Sequence, residues 1–384
     1  MISAQGYEIH LFIIWEKARS EEERILADMK KHFEIIDSYV IRWPKSRFSY
    51  NLTRFYGQNL PAKSDKIKVC GDGDFRIVIV KDNHPLYRVR KTTKGTQCVN
   101  VNIFDAKELY RSWTGGRHRV HATNSIDEVN HDLTLLTGYN STDYYLKSIS
   151  HDFDFICEKQ LIGNDGFNSI DELLYIMNNC FRYVILRNYE NLPDNILLGE
   201  HSDLDILCDN FEQARIVLGG VKDQPEDYRV RVKVLINNSP LFVDLRSVGD
   251  NYYDYKWEQN ILENRVLEKS LFYVPSNTNH LYSLMYHAVV HKSYLSQDYI
   301  KCFCNSYGID DYDSISRTFL INQLKDYMES HKYEVVEPRD LSVLFNALDL
   351  GVPESKQRKK QIKKARLLRV LCNPHLIFSH IKKG

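Results

Sequence analysis

The chain has 384 residues, carries 51 basic and 51 acidic side chains, and is 43% hydrophobic and 12% aromatic. These values exclude an intrinsically disordered chain and supply apolar surface for roughly two or three cores. They also exclude a molecule of one overall sign, yet the balance is uneven: residues 356–369 hold eight Lys or Arg and no acid, so the remainder is acidic. No apolar run approaches the length of a membrane span, and the opening six residues lack the basic-then-apolar pattern of a signal peptide. The eight cysteines form no Cys-x-x-Cys pair and sit mostly among apolar residues, as reduced core thiols do. A cytoplasmic protein is expected.

In chain order, residues 10–15 predict a buried strand, and residues 20–33 an amphipathic helix with Ser20 as N-cap and Glu23 closing a capping box. A second strand is expected over 34–43, a helix over 48–56, and a hydrophobic strand over 75–80, introduced by Gly71, Asp72 and Gly73. Residues 104–113 predict a helix broken by Gly115 and Gly116, and residues 125–136 another, capped by Ser125. The β-α-β-α-β-α order points to one compact α+β domain over residues 1–142. Residues 143–168 lack strong periodicity and are expected to be a linker.

Within the first domain, His121 is followed by Ala122, Thr123, Asn124 and Ser125, with Asp132 further along the helix and Arg111, Arg117 and His118 upstream. An imidazole fixed by a carboxylate keeps one nitrogen free as a nucleophile, and nearby arginines neutralise a phosphoryl group. A histidine in an apolar strand is otherwise an ordinary core residue. The order of elements and these residues together resemble the nucleoside diphosphate kinases. The resemblance implies a ferredoxin-like fold, His121 as phosphate acceptor oriented by Asp132, Arg111 and Arg117 as phosphate-binding residues, and His118 where the family contacts ribose. The family's lysine after the first strand is matched by Trp15, with Lys17 two residues on. A nucleotide-binding or purely structural domain therefore stays open as the alternative.

The second domain is expected over residues 169–275. Its first helix, 169–179, has Asp171 and Glu172 in the opening turn, where the helix dipole favours acids. Strands are predicted over 183–186, 205–208, 229–236 and 241–245, and a helix over 211–218. Asp203 and Asp205 alternate with Leu204 and Ile206, so on a strand both carboxylates leave one face while the apolar residues enter a core. Asp244 lies among Leu241, Phe242, Val243 and Leu245, where a carboxylate is costly unless paired, hydrogen-bonded or bound to a metal. Three such groups suit Mg²⁺, and two ions about 4 Å apart clamp the attacking and leaving oxygens of a phosphoryl transfer. Arg187 and Arg246 flank these strands and fit either donor-phosphate contacts or salt bridges.

The run at 183–193, the Ser-Asp-Leu-Asp-Ile-Leu at 202–207 and the Phe-Val-Asp-Leu-Arg at 242–246 resemble the nucleotidyltransferase-fold superfamily over residues 165–290. The pattern is nearest to stand-alone bacterial members and to the phospho-polyol transferases of surface-glycan assembly. The resemblance implies metal binding by Asp203, Asp205 and Asp244, the last also serving as base. It further implies a grip on the donor by a Gly-Ser pair, for which Gly199 and Ser202 are a loose substitute. The activity implied is Mg²⁺-dependent transfer of a nucleotidyl or phospho-alditol group. It would pass from a nucleotide-linked donor to an acceptor hydroxyl on a sugar, glycan or lipid-linked carrier. A regulatory or toxin-like nucleotidyltransferase acting on a macromolecule, and a nucleotide-binding protein with degenerate sites, are the alternatives.

Residues 276–350 read as helical. His287 and His291 have the spacing of metal ligands on one helix face, but neither a zinc-protease Glu nor a third ligand accompanies them, so packing or acceptor contact is expected. The last segment, 351–384, sets its basic run ahead of apolar patches too short to span a bilayer. Peripheral contact of residues 356–378 with the inner face of a membrane and packing on the chain's own acidic surface are the leading expectations. Nucleic acid is disfavoured because no aromatic residue interleaves the basic run.

Overall fold

The computed structural model describes residues 6–92, 95–147, 149, 151, 155–194, 196, 198–199, 204–226, 228–310 and 314–372. The protein is α+β and divides into two compact units. One comprises residues 1–181, 212–220 and 235–238, the other residues 182–211, 221–234 and 239–384.

The first unit contains β1 (Glu8–Ile14), α1 (Glu22–His32), β2 (Glu34–Arg42), α2 (Lys45–Tyr56), α3 (Asp65–Cys70) and β3 (Phe75–Asp82). The hairpin β4 (Tyr87–Thr92) and β5 (Gly95–Asn100) comes next, then α4 (Val101–Trp113), β6 (Val120–Ala122), α5 (Ile126–Thr137), α6 (Ser141–Leu146), β7 (Ile156–Glu158) and α7 (Ile170–Cys180). Its sheet runs β6-β1-β3-β2-β7. Every pairing is antiparallel except that of β7, which joins β2 parallel. All seven residues of β1 are buried, five of them apolar, while Glu8 and His10 pair with each other at 3.2 Å. Phe12, Ile14, Val78 and Val80 meet Ile25 and Met29 of α1 and Ile103 and Tyr110 of α4 in one core.

Three features depart from the expected plan. The capping box at Ser20 and Glu23 does not form, because a 3-10 turn over Glu16–Glu21 precedes α1, which starts at Glu22 without a side-chain cap. The stretch expected as a linker contributes α6 and β7 to the first unit. The helix α7, expected to open the second domain, instead packs on α5: the Asn140 backbone N–H donates to the Tyr175 hydroxyl at 3.0 Å, and the Asn140 side chain donates to Asn179 at 3.1 Å.

The second unit is built around β8 (Tyr183–Arg187), β9 (Leu204–Cys208), β10 (Val221–Lys222), β11 (Arg231–Ile236) and β12 (Ser239–Ser247); α8 (Phe211–Val217), between β9 and β10 in the chain, belongs almost wholly to the first unit. The sheet order is β10-β11-β12-β9-β8. It is mixed, with β12 and β9 parallel and β8 antiparallel to β9. After it come α9 (Tyr255–Glu263), the hairpin β13 (Val266–Glu268) and β14 (Phe272–Val274), α10 (Asn277–Val290), α11 (Gln297–Tyr307), α12 (Arg317–His331) and α13 (Lys356–Cys372). Trp257, Met285, Tyr286, Phe303, Leu320 and Leu324 form a helical core against Val184 and Leu207 of the sheet. The expected helical region ends at His331, and the chain beyond it is irregular until a short 3-10 turn, Leu348–Leu350. Among the described residues no helix is long and apolar enough to cross a membrane.

Candidate active site

In the second unit β9 and β12 run parallel and in register, with Asp205 beside Asp244. Register neighbours on adjacent strands project from the same face, so the two carboxylates form a side-by-side pair. Ser202 and Asp203 lie outside the described residues.

A bulge in β8 between Ile185 and Arg187 sets Arg187 opposite Asp205. Its Nη2 donates to Asp205 Oδ1 at 2.6 Å and to the Tyr252 hydroxyl at 3.3 Å. Tyr252 in turn lies 2.6 Å from Nδ1 of His287. Burial, Arg187 and His291 hold that imidazole well below its usual pKa. A chain of contacts results, in which Arg187 donates to both Asp205 and Tyr252, and the Tyr252 hydroxyl shares a hydrogen bond with His287.

Arg246, at the far end of β12, is buried with its guanidinium 4.3 Å from the Tyr252 ring. Three carboxylates surround it, Asp340 at 3.7 Å, Asp244 at 3.8 Å and Asp250 at 3.9 Å. Asp205 is buried, whereas the Asp244 side chain is 27% exposed. Burial pushes the Asp244 carboxyl above its usual range, Arg246 opposes this and the neighbouring Asp205 adds to it. A carboxylate pair whose second member is uncomfortable when ionised is the environment a hard divalent cation relieves.

The His291 ring lies tilted 4.2 Å from the Tyr252 ring, and neither of its ring nitrogens has a hydrogen-bond partner among the described residues. Burial and the nearby Arg246 depress its pKa far below the usual value. His287 and His291 thus pack beneath the charged cluster as neutral rings. Among the described residues no group of three or more His, Cys, Asp or Glu is arranged to hold a metal, and Asp203 is not one of those residues. Tyr252, Asp250 and Asp340 were not anticipated. The acids and tyrosines at 250–254 directly after β12 were the only sequence sign of the first two, and Asp340 lies in a loop without any periodic signal.

The first unit holds a second cluster. The Ser125 hydroxyl accepts from the Glu128 N–H at 3.3 Å and starts α5. The helix then carries Asp132 to His121 of β6, with Nε2 2.6 Å from Oδ2, while Nδ1 of His131 is 2.9 Å from Oδ1. Burial opposes ionisation of Asp132, but the two histidines outweigh it and hold the carboxyl below its usual range. With Nε2–H donated to the carboxylate, the neutral form of His121 has its lone pair on Nδ1. Phe55 and Tyr56 meet the His121 ring edge-on at 5.6 and 5.8 Å. All these residues line a cavity of about 300 Å³ together with Cys98, Asn124 and Glu128.

Arg111, Arg117 and His118 do not line that cavity. They do share one cationic neighbourhood: burial and the charges of Lys66, Arg111 and Arg117 depress the His118 pKa, with His121 adding to the effect. Arg111 is held by the Val120 carbonyl and by Glu108, each at 2.8 Å. Arg117 adopts a left-handed φ of 62°. Trp15 is fully buried against Phe75 and Trp43, and Lys17 donates to the Lys68 carbonyl at 2.6 Å.

Comparison of the chain with protein-family models, with curated proteins and with solved structures gives no match.

Proposed function

We propose that the second unit is a Mg²⁺-dependent transferase of the nucleotidyltransferase-fold type. It moves a nucleotidyl or phospho-alditol group from a nucleotide-linked donor to an acceptor hydroxyl on a sugar or glycan of the cell surface. The observation that carries this reading is the parallel, in-register placement of Asp205 beside Asp244 between two arginines. The mixed sheet order supports the fold.

Asp205 and Asp244, with Asp203 of the same Asp-x-Asp, are the residues that would hold Mg²⁺. Their hard oxygen donors, and an Asp244 carboxyl strained by burial beside a second acid, fit that ion. Bound there, Mg²⁺ would neutralise donor phosphate oxygens. Asp244, held above the usual carboxylate range, is suited to take the proton of the attacking hydroxyl. Arg246 and Arg187 supply the remaining positive charge for the donor phosphates.

For the first unit, the antiparallel order β6-β1-β3-β2 supports the ferredoxin-like, nucleoside diphosphate kinase-like reading, and the cationic neighbourhood of His118 supports nucleotide binding. A second reading, binding without phosphoryl transfer to His121, is favoured by Trp15, which occupies the aromatic core where the kinases carry a phosphate-binding lysine.

The test is incubation of the intact protein with each nucleoside triphosphate and with cytidine-diphosphate-linked polyols, with Mg²⁺ and sugar acceptors, followed by mass analysis. Transfer to the acceptor, with release of pyrophosphate or a nucleoside monophosphate, is expected. An adduct on an added macromolecule would favour the regulatory alternative. Consumption of no donor would contradict the proposal.

A further inference from the structure

We infer that α13 is a docking surface for an anionic lipid membrane. This goes beyond the transfer reaction and does not rest on it.

The two sides of the helix differ. On one, Arg358 is buried and donates to the carbonyls of Pro338, Asp340 (3.1 Å) and Val343 (2.8 Å). Ile362 and Ala365, four and seven residues on, are half-buried on the same side. On the other, Lys356, Lys359, Lys360, Lys363 and Lys364 are all exposed, spaced i, i+3, i+4, i+7 and i+8 so that they form one stripe. Leu367, 61% exposed, continues it. None of these five lysines makes an ion pair among the described residues.

Such a stripe works against its own helix. Like charges three and four residues apart repel, and cations in the first turn oppose the helix dipole. A helix needed only to cover its unit through Ile362 and Ala365 gains nothing from it, so the compensating negative charge is external. The stripe is straight and about 17 Å long from Lys356 to Leu367. Its charges are lysine point charges, with the exposed Arg366 beside them, rather than a row of arginine forks for bidentate phosphate recognition, and it has no aromatic platform for bases. Leu367 and Leu368, both exposed, can enter the apolar edge of a bilayer. A continuous anionic lipid surface matches all of these features.

The experiment is co-sedimentation of the full chain with phosphatidylcholine vesicles, with or without phosphatidylserine, at low and high salt. It is repeated with Lys359→Gln, Lys360→Gln, Lys363→Gln and Lys364→Gln combined. The native chain is expected to pellet only with the anionic vesicles at low salt and to be released at high salt. The combined variant should bind at least tenfold more weakly, each lysine contributing about fivefold, and should melt no lower than the native chain because repulsion is relieved. If the combined variant fails to fold, Lys359→Gln and Lys363→Gln are read singly for the fivefold loss. The inference is overturned by native chain left in the supernatant with anionic vesicles, by equal pelleting with neutral ones, or by variants that bind as the native chain does. Preferential capture by an oligonucleotide competitor at matched phosphate concentration would also overturn it.

Discussion

Asp205 and Asp244 stand side by side, yet substitutions at the two positions are expected to act by different routes. Asp205 is buried and engaged by Arg187 at 2.6 Å, so Asp205→Ala leaves a guanidinium that is only 12% exposed without its acid and should cost about 3 kcal/mol in urea unfolding. Adding Arg187→Met to the same chain should recover most of that. Lost activity in Asp205→Ala therefore does not by itself identify a metal ligand. Asp244 is partly exposed and lies 3.8 Å from Arg246; Asp244→Asn should stay within about 1 kcal/mol of the native stability while reducing transfer about 100-fold or more. Acid sensitivity is tied to His291. Its folded pKa lies well below 6.5, so between that value and 6.5 the unfolded chain binds a proton that the folded chain refuses. Stability from this residue is complete above 6.5 and falls as pH drops through the window, by up to about 1.4 kcal/mol per pH unit. The thermal stability of the native chain should accordingly fall relative to that of His291→Phe as the pH drops below 6.5, and the difference between them should be constant above pH 6.5.

At the scale of elements, the helix α2 reaches across its unit to α8. Arg54, fully buried, donates twice to the Val217 carbonyl at the end of α8, at 3.1 and 2.6 Å. Arg54→Met strands that carbonyl and should destabilise the protein by about 1–3 kcal/mol, with amide exchange rising first at residues 217–220. How far an element was legible in the sequence depended on whether its cause is local. The cap at Ser125 was legible because its partner is Glu128, three residues away. The bulge in β8 was not, since no Gly or Pro marks it and only pairing with β9 reveals it. The same bulge puts Arg187 on Asp205, so that contact was hidden as well. The β4–β5 hairpin was missed because most of its residues are exposed and carry no apolar stripe. The allegiance of α7 rests on contacts with residues some forty positions back, Asn140 to Asn179 among them, which periodicity does not report.

For the whole molecule, an α+β chain of more than one core was readable from composition and element order, whereas the seam was not. Segments 212–220 and 235–238 belong with the first unit, and nothing in their composition says so. The sequence offers Asp203 and Asp205 as a carboxylate pair with Asp244 as a third acid; Asp203 lies outside the described residues, and Asp205 and Asp244 lie side by side on adjacent strands. The basic segment had been read as either packed on its own unit or presented to a membrane, and α13 packs one side while exposing lysines on the other. The central claim is that the Asp205 and Asp244 carboxylates hold a divalent cation for phosphoryl transfer. The most direct test is titration of the intact protein with Mn²⁺ as a stand-in for Mg²⁺, following free ion by electron paramagnetic resonance, in the native chain and in Asp244→Asn. Saturable binding in the native chain that is lost in folded Asp244→Asn is predicted; Mn²⁺ left free by the native chain, or held equally by both, would contradict the claim.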